Sequence, residues 1–157
     1  MPDDAFRRDE QERRMLLIQS YVAPSPIEGV GVFAAEAIPA GALIWKLDPA
    51  FDRLVRHEGI ADLPATFRKF AERYGYPYPH DPSLLVLELD NGRFMNHSNS
   101  PNTCFTDPDA GYALRRIEAG EELTCDYSEF DPAFEMLPGR RFEPPGRRSG
   151  PEPQPSA

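Results

Sequence analysis

The sequence predicts a mainly β protein with a few short helices, and three observations carry that expectation. Short apolar and β-branched runs recur along the chain, each closed by a cluster of Gly, Pro, Asn, Asp or Ser. One stretch only, Leu63 to Tyr74, repeats its apolar residues at clear helical spacing. At 157 residues and 40% hydrophobic content the chain can fill one domain's core but not two.

Residues 1–14 mix Asp3, Asp4, Asp9, Glu10 and Glu12 with Arg7, Arg8, Arg13 and Arg14, which suits a frayed helix or a disordered leader better than a core element. Met15 to Val22 reads as a first strand, closed by Pro24, Ser25 and Pro26. Glycines then alternate with β-branched residues at Gly29, Val30, Gly31 and Val32. That pattern fits a bulged strand, or a backbone that approaches a ligand more closely than a Cβ would allow. It lacks the third glycine and following helix of a dinucleotide fingerprint. Pro39 to Gly41 turns into a strand at Ala42–Leu47, which holds the one tryptophan, Trp45, and Phe51–Val55 makes another.

In the helix, Leu63, Phe67, Phe70, Ala71 and Tyr74 share a face opposite Arg68, Lys69, Glu72 and Arg73. Gly75 to Pro79 ends it, because Pro77 and Pro79 cannot continue a helix. Ser83–Leu89 reads as a strand buried on both faces. It delivers the chain into residues 91–102. A hairpin follows, Asn102–Thr106 and Tyr112–Ile117 around a turn at Asp107–Gly111, and then a strand at Glu121–Tyr127. There Leu123, Cys125 and Tyr127 alternate with Thr124 and Asp126. From Pro138 the chain turns to Pro, Gly, Arg and Ser, expected to be a disordered tail, which leaves 15–137 as the folded domain.

The formal net charge is −9, with a pI near 4.8. The four arginines of the tail face two glutamates, so the remaining chain is more acidic still. Such a surface repels nucleic acid and anionic membranes and favours a basic partner, though acidity also serves solubility alone. Cys104 and Cys125 are too few for a disulfide framework or a zinc site, so both are expected as thiols and no metal is expected. No apolar run reaches membrane-spanning length and residues 1–14 do not resemble a secretion signal, so the expected location is cytoplasmic. Composition leaves the oligomeric state open.

The densest chemistry lies between Asn91 and Asn102: Arg93, Phe94, Met95, Asn96, His97, Ser98 and Asn99 lie between a turn at Asn91-Gly92 and a break at Ser100-Pro101. Asn96, His97 and Ser98 can each donate and accept hydrogen bonds, while Phe94 and Met95 can bury and hold them in place. By itself this is a ligand site or a solvated loop with buried anchors.

Read in order, the Gly-x-Gly strand, the run Arg93-Phe94-Met95-Asn96-His97-Ser98 leading to Pro101-Asn102, and Glu121-Glu122-Leu123-Thr124-Cys125-Asp126-Tyr127 resemble the SET domain of protein lysine methyltransferases, in a small zinc-free form of bacterial type. The resemblance covers roughly 16–130. It implies small β-sheets with a C-terminal pseudoknot formed by the two motif segments. It also implies S-adenosylmethionine as cofactor and lysine in a basic protein as substrate; the alternative is a catalytically weak module that binds a basic peptide or the cofactor without turnover.

By position, Gly29, Val30, Gly31, Arg93, Phe94, Asn96 and His97 would line the cofactor pocket, with Arg93 bracing it and the His97 ring packing locally. Tyr127 matches the catalytic tyrosine, though alone it could be a core tyrosine at a strand end. Glu122 and Asp126 are expected to serve structural hydrogen bonds. Cys125 stands where a Phe or Tyr often limits space around the lysine nitrogen; it leaves room for more than one methyl, or is simply a buried thiol. With no zinc-binding cysteines, closure of the lysine channel falls to Phe130, Phe134 and Leu137 or to a partner chain. The second channel aromatic is Tyr76 or Tyr78.

Overall fold

A computed structural model describes residues 15–131. The expected leader, the expected tail, Phe134 and Leu137 lie outside the described residues.

The first apolar run does not form one strand. β1 (Met15–Leu16) pairs antiparallel with β4 (Leu43–Lys46), whereas β2 (Ser20–Pro24) pairs antiparallel with β3 (Val30–Ala34). The chain changes sheets between them, with Leu17 N–H bonded to the Ile44 carbonyl at 2.7 Å. An apolar run shows that residues are buried but not which partner covers them.

β5 (Arg53–Arg56) leads into a short helix α1 (His57–Ala61) and then α2 (Ala65–Tyr74). The stretch expected only to end α2 instead forms β6 (Gly75–Tyr78), an edge strand of the sheet β5-β7-β6, with β7 spanning Asp81–Leu87. Pro77 is tolerated there because an edge strand has one side free of ladder bonds. β7 is buried only at Leu85, Val86 and Leu87; its first residues are exposed, which corrects the expectation of burial throughout.

After a 3-10 turn at Asn91–Phe94 come β8 (Asn96–His97), β9 (Thr103–Asp107), β10 (Ala110–Ala113) and β11 (Glu122–Cys125). The second hairpin strand begins two residues earlier than its apolar pattern suggests and ends at Ala113, and Ile117 instead bridges Ile38. Two further sheets result, β1-β4-β10-β9 and β2-β3-β11-β8.

Between those two sheets lies the main core, which includes Val32, Ile44, Trp45, Met95, Ile117, Leu123 and Cys125. Ile44, Ile117 and Leu123 are fully buried, each contributing roughly 1.5–3 kcal/mol of transfer free energy. A smaller cluster of Ile60, Ala71, Leu85 and Leu87 joins α1 and α2 to the third sheet. α2 buries little else: Phe67 and Phe70 are each 41% exposed and stack in a row that continues through Tyr74 to Phe94.

Candidate active site

The two motif segments meet where β8 runs parallel to β11, Asn96 opposite Thr124 and His97 opposite Cys125. This is the expected pseudoknot, and side chains fasten it. Buried Asn102 accepts the Thr124 N–H at 2.8 Å and donates to the Glu122 carbonyl at 2.7 Å. Thr103 donates from Oγ1 to the Thr124 carbonyl at 2.7 Å. Thr124 is therefore buried alongside Leu123 and Cys125, and the simple alternation expected for this strand is absent.

Asn96 is buried too. Its Nδ2 lies 3.2 Å from the Glu28 carbonyl, 3.1 Å from that of Val30 and 2.9 Å from Glu122 Oε1, so two amide hydrogens are shared among three acceptors. The Glu122 carboxylate also accepts from Ser25 Oγ. A Cβ at Gly31 would run into that carboxylate, and Gly29 has φ +48°, in the left-handed region. The glycine pair is thus explained by Glu122 and by the turn.

His97 Nδ1 accepts the Tyr127 N–H at 3.1 Å, which places the ring proton on Nε2, where it is donated to Asn99 Oδ1 at 3.1 Å. Its ring packs 5.3 Å from that of Tyr127. The Tyr127 hydroxyl donates to the Met95 carbonyl at 2.7 Å, and burial raises its pKa so far above the ordinary tyrosine value that the phenol stays neutral. Asp126 caps the following turn by accepting from the Ser128 N–H and hydroxyl. Asp90 caps the 3-10 turn through the Gly92 N–H, and Arg93 donates to the Leu89 carbonyl with its guanidinium 4.6 Å from the centre of the Phe94 ring.

Two concavities open onto Tyr127. The larger, about 240 Å3, is walled by Tyr76, Glu88, Phe105, Cys125, Tyr127 and Phe130 among others. Its rings pack together, Tyr76 4.8 Å and Tyr127 5.7 Å from Phe130, and Phe105 5.9 Å from Trp45. The smaller, about 90 Å3, is bounded by Glu28, Val30, Phe94 and Asn96. Arg73, Tyr74, Arg93, Met95 and Tyr127 line both. Glu88 accepts from the Tyr76 hydroxyl at 2.9 Å; burial, then the Asp90 charge, pushes its carboxyl up to about 8. Burial, then Glu88, also raises the Cys125 thiol well above its ordinary range.

Residues 29–128 match the family model of the SET domain. The chain belongs to the SET domain family. It is 31% identical over 158 residues to the histone-lysine N-methyltransferase mes-2 of Caenorhabditis elegans, an alignment covering 85% of the chain and 19% of that protein. The chain thus spans about a fifth of the length of that curated relative. Solved structures share the fold. A Plasmodium falciparum chain described as a candidate histone methyltransferase superposes with a TM-score of 0.52 at 22% identity, covering 70% of this chain and 93% of that one. A chain of the Chaetomium thermophilum Polycomb Repressive Complex 2 gives 0.55 at 19% identity, with coverages of 74% and 16%.

In this SET domain, Val30, Arg93, Phe94, Asn96 and Tyr127 gather at the smaller concavity, and Tyr76, Cys125 and Phe130 at the larger one. Gly29, Gly31 and His97 are not among the lining residues of either concavity. Tyr78 is not among the lining residues: its hydroxyl donates to Asp109 at 3.2 Å and its ring meets His80. Pairing of Tyr76 with Val86 turns Tyr76 inward, and a register shift between Pro77 and Tyr78 breaks the alternation. Trp45, Arg73, Tyr74, Glu88 and Phe105 were not expected at the site. The one sequence signal for Glu88 is that it follows the buried run ending at Leu87 and shares a strand face with Val86, which sits opposite Tyr76.

Proposed function

We propose that this SET domain transfers a methyl group from S-adenosylmethionine to lysine side chains of a basic protein. The observation that carries the reading is that two concavities of different chemistry meet at one neutral tyrosine. The smaller has the donor set that an amino-acid end and a flat heterocycle need: the guanidinium groups of Arg73 and Arg93, the backbone around Glu28 and Val30, the Asn96 amide and the Phe94 ring. Those residues would hold the cofactor, which supplies an electrophilic methyl on a sulfonium.

The larger concavity suits an unbranched alkyl amine. Tyr76, Phe105, Phe130 and Met95 would strip water from the lysine chain, and desolvation favours the neutral, nucleophilic amine over the ammonium. Tyr127 positions the nitrogen. Its hydroxyl proton is committed to the Met95 carbonyl, so its oxygen is presented as an acceptor at the meeting point. The acidic surface attracts a basic polypeptide.

Incubation with methyl-labelled S-adenosylmethionine and a panel of lysine-rich proteins tests this. Label should appear on lysine, and Tyr127→Phe should lower the rate about 100-fold or more while cofactor binding by calorimetry persists. Cofactor binding with no transfer to any protein would replace the catalytic reading with a binding module.

A further inference from the structure

We propose that Glu88 is the group that receives the substrate amine in the larger concavity, pairing with it as an ammonium and then accepting one of its protons. The proton step rests on the lysine methyltransferase reading; the ammonium pairing stands on the concavity alone.

Six aromatic residues line this space, and Trp45 Nε1 is buried there without a hydrogen-bond partner among the described residues. A cation entering it loses its water and needs ring faces and an anion in exchange. Four acidic residues line the space. Glu72 and Asp107 are exposed, and Asp131 lies just past the turn that follows β11. Those three suit a rim that draws a cation in. Glu88 is the acid on the inner wall, where the Tyr76 hydroxyl fixes Oε1 at 2.9 Å. Its Oε2 lies over Gly92, where a Cβ would collide with it. The glycine in the motif run therefore makes room for this carboxyl.

The groups that face it are Tyr76 from β6, Arg93 and Asp90 around the 3-10 turn, Asp52 from the loop before β5, Cys125 at the end of β11 and Tyr127 from the turn after it. Burial and the two aspartates hold a proton on Glu88 at neutral pH, while Tyr76 and Arg93 pull the other way. Arrival of an ammonium supplies the missing counter-charge, so the carboxyl gives its own proton to water and ionises on occupancy. One N–H bond of the ammonium then breaks, its proton passes to a Glu88 oxygen and the electron pair stays on nitrogen, which leaves the neutral amine that transfer requires. When the space empties Glu88 keeps that proton, which is its resting form at neutral pH.

Trp45, the single tryptophan, makes fluorescence a direct readout of the wall. Titration of the whole chain with n-butylmethylammonium chloride should give a saturable signal, weakened about 10- to 100-fold in Glu88→Gln, the worth of a charge-assisted bond. n-Butanol should bind both proteins alike. Equal ammonium affinity in the two would overturn the proposal. If Glu88→Gln does not fold, Glu88→Asp carries the same comparison: it keeps the charge but withdraws it, so affinity equal to the unmodified protein is again fatal.

The pH profile of methyl transfer tests the proton step. The unmodified protein should gain kcat/KM as pH rises through about 8, and Glu88→Gln should be about 100-fold slower and climb only toward lysine's own range near 10. An unchanged profile in Glu88→Gln would overturn that step. No transfer by the unmodified protein, with Glu88-dependent ammonium binding intact, would sink the methyltransferase reading and leave the pairing standing.

Discussion

The two walls of the site are held by different forces. On the side of β8 and β11, Asn96, His97, Asn102 and Thr103 bond to backbone groups, and Asn96, Asn102 and Thr103 are buried. On the side of the β5-β7-β6 sheet and α2, the site is bounded by ring contacts, by the Tyr76–Glu88 bond and by an Arg73–Glu28 ion pair of 2.6 Å. A buried polar group must keep its partners or cost the fold, whereas rings can be exchanged for others of similar size. The difference assigns stability to the first wall and choice of what enters to the second.

The sharpest way to break that comparison is Asn102→Ala. The substitution strips partners from the Thr124 N–H and the Glu122 carbonyl, both at the heart of the pseudoknot. At roughly 1–3 kcal/mol for each orphaned buried group, urea unfolding should show a loss of about 3 kcal/mol or more. A variant that unfolds at the wild-type midpoint would mean the amides are not what holds this wall.

The second wall should instead reveal itself through pH. The Glu88 carboxyl lies above its unfolded range, so its contribution is fully present below about pH 4.5 and is lost as pH rises through about 8. After allowance for partial solvent screening the loss is on the order of 2 kcal/mol. The melting temperature should therefore fall between pH 5 and 9, and Glu88→Gln should flatten that part of the curve. If the variant's slope matches the wild type's, the carboxyl does not carry the strain assigned to it.

The same contrast explains what could be read in advance. Arg93 to Ser98 and Glu121 to Tyr127 are legible because Arg93, Asn96, His97 and Tyr127 each answer to a backbone group, and those demands leave a fixed order in the sequence. The second wall has no such grammar. Tyr76 and Glu88 are twelve residues apart and meet only because β6 pairs with β7, and β6 is masked in the sequence by Pro77, which an edge strand tolerates, and by Pro79 just beyond it. Phe105 and Trp45 come from the other sheet, where an aromatic in a strand reads equally well as core. Gly31 was legible as a close approach, but the object approached, Glu122, lies ninety-one residues along the chain.

Cys125 belongs to both walls, which makes it the subtlest test. It lies on β11, 3% exposed and packed in the main core, yet it also lines the larger concavity. A tyrosine there would project its ring into about 240 Å3 of open space, so overpacking should cost no more than about 1 kcal/mol, against the 1–3 kcal/mol usual in a filled core. The ring would also reduce the room around the amine that we propose binds between Glu88 and Tyr127. We therefore predict that the wild-type protein adds more than one methyl to a good peptide, and that Cys125→Tyr shifts the product toward a single methyl with nearly the same melting temperature. Mass spectrometry of the peptide and a thermal melt read the two halves separately. Monomethylation by both proteins would show that Cys125 does not set the space, and a large drop in melting temperature would show that its side chain is committed to the core.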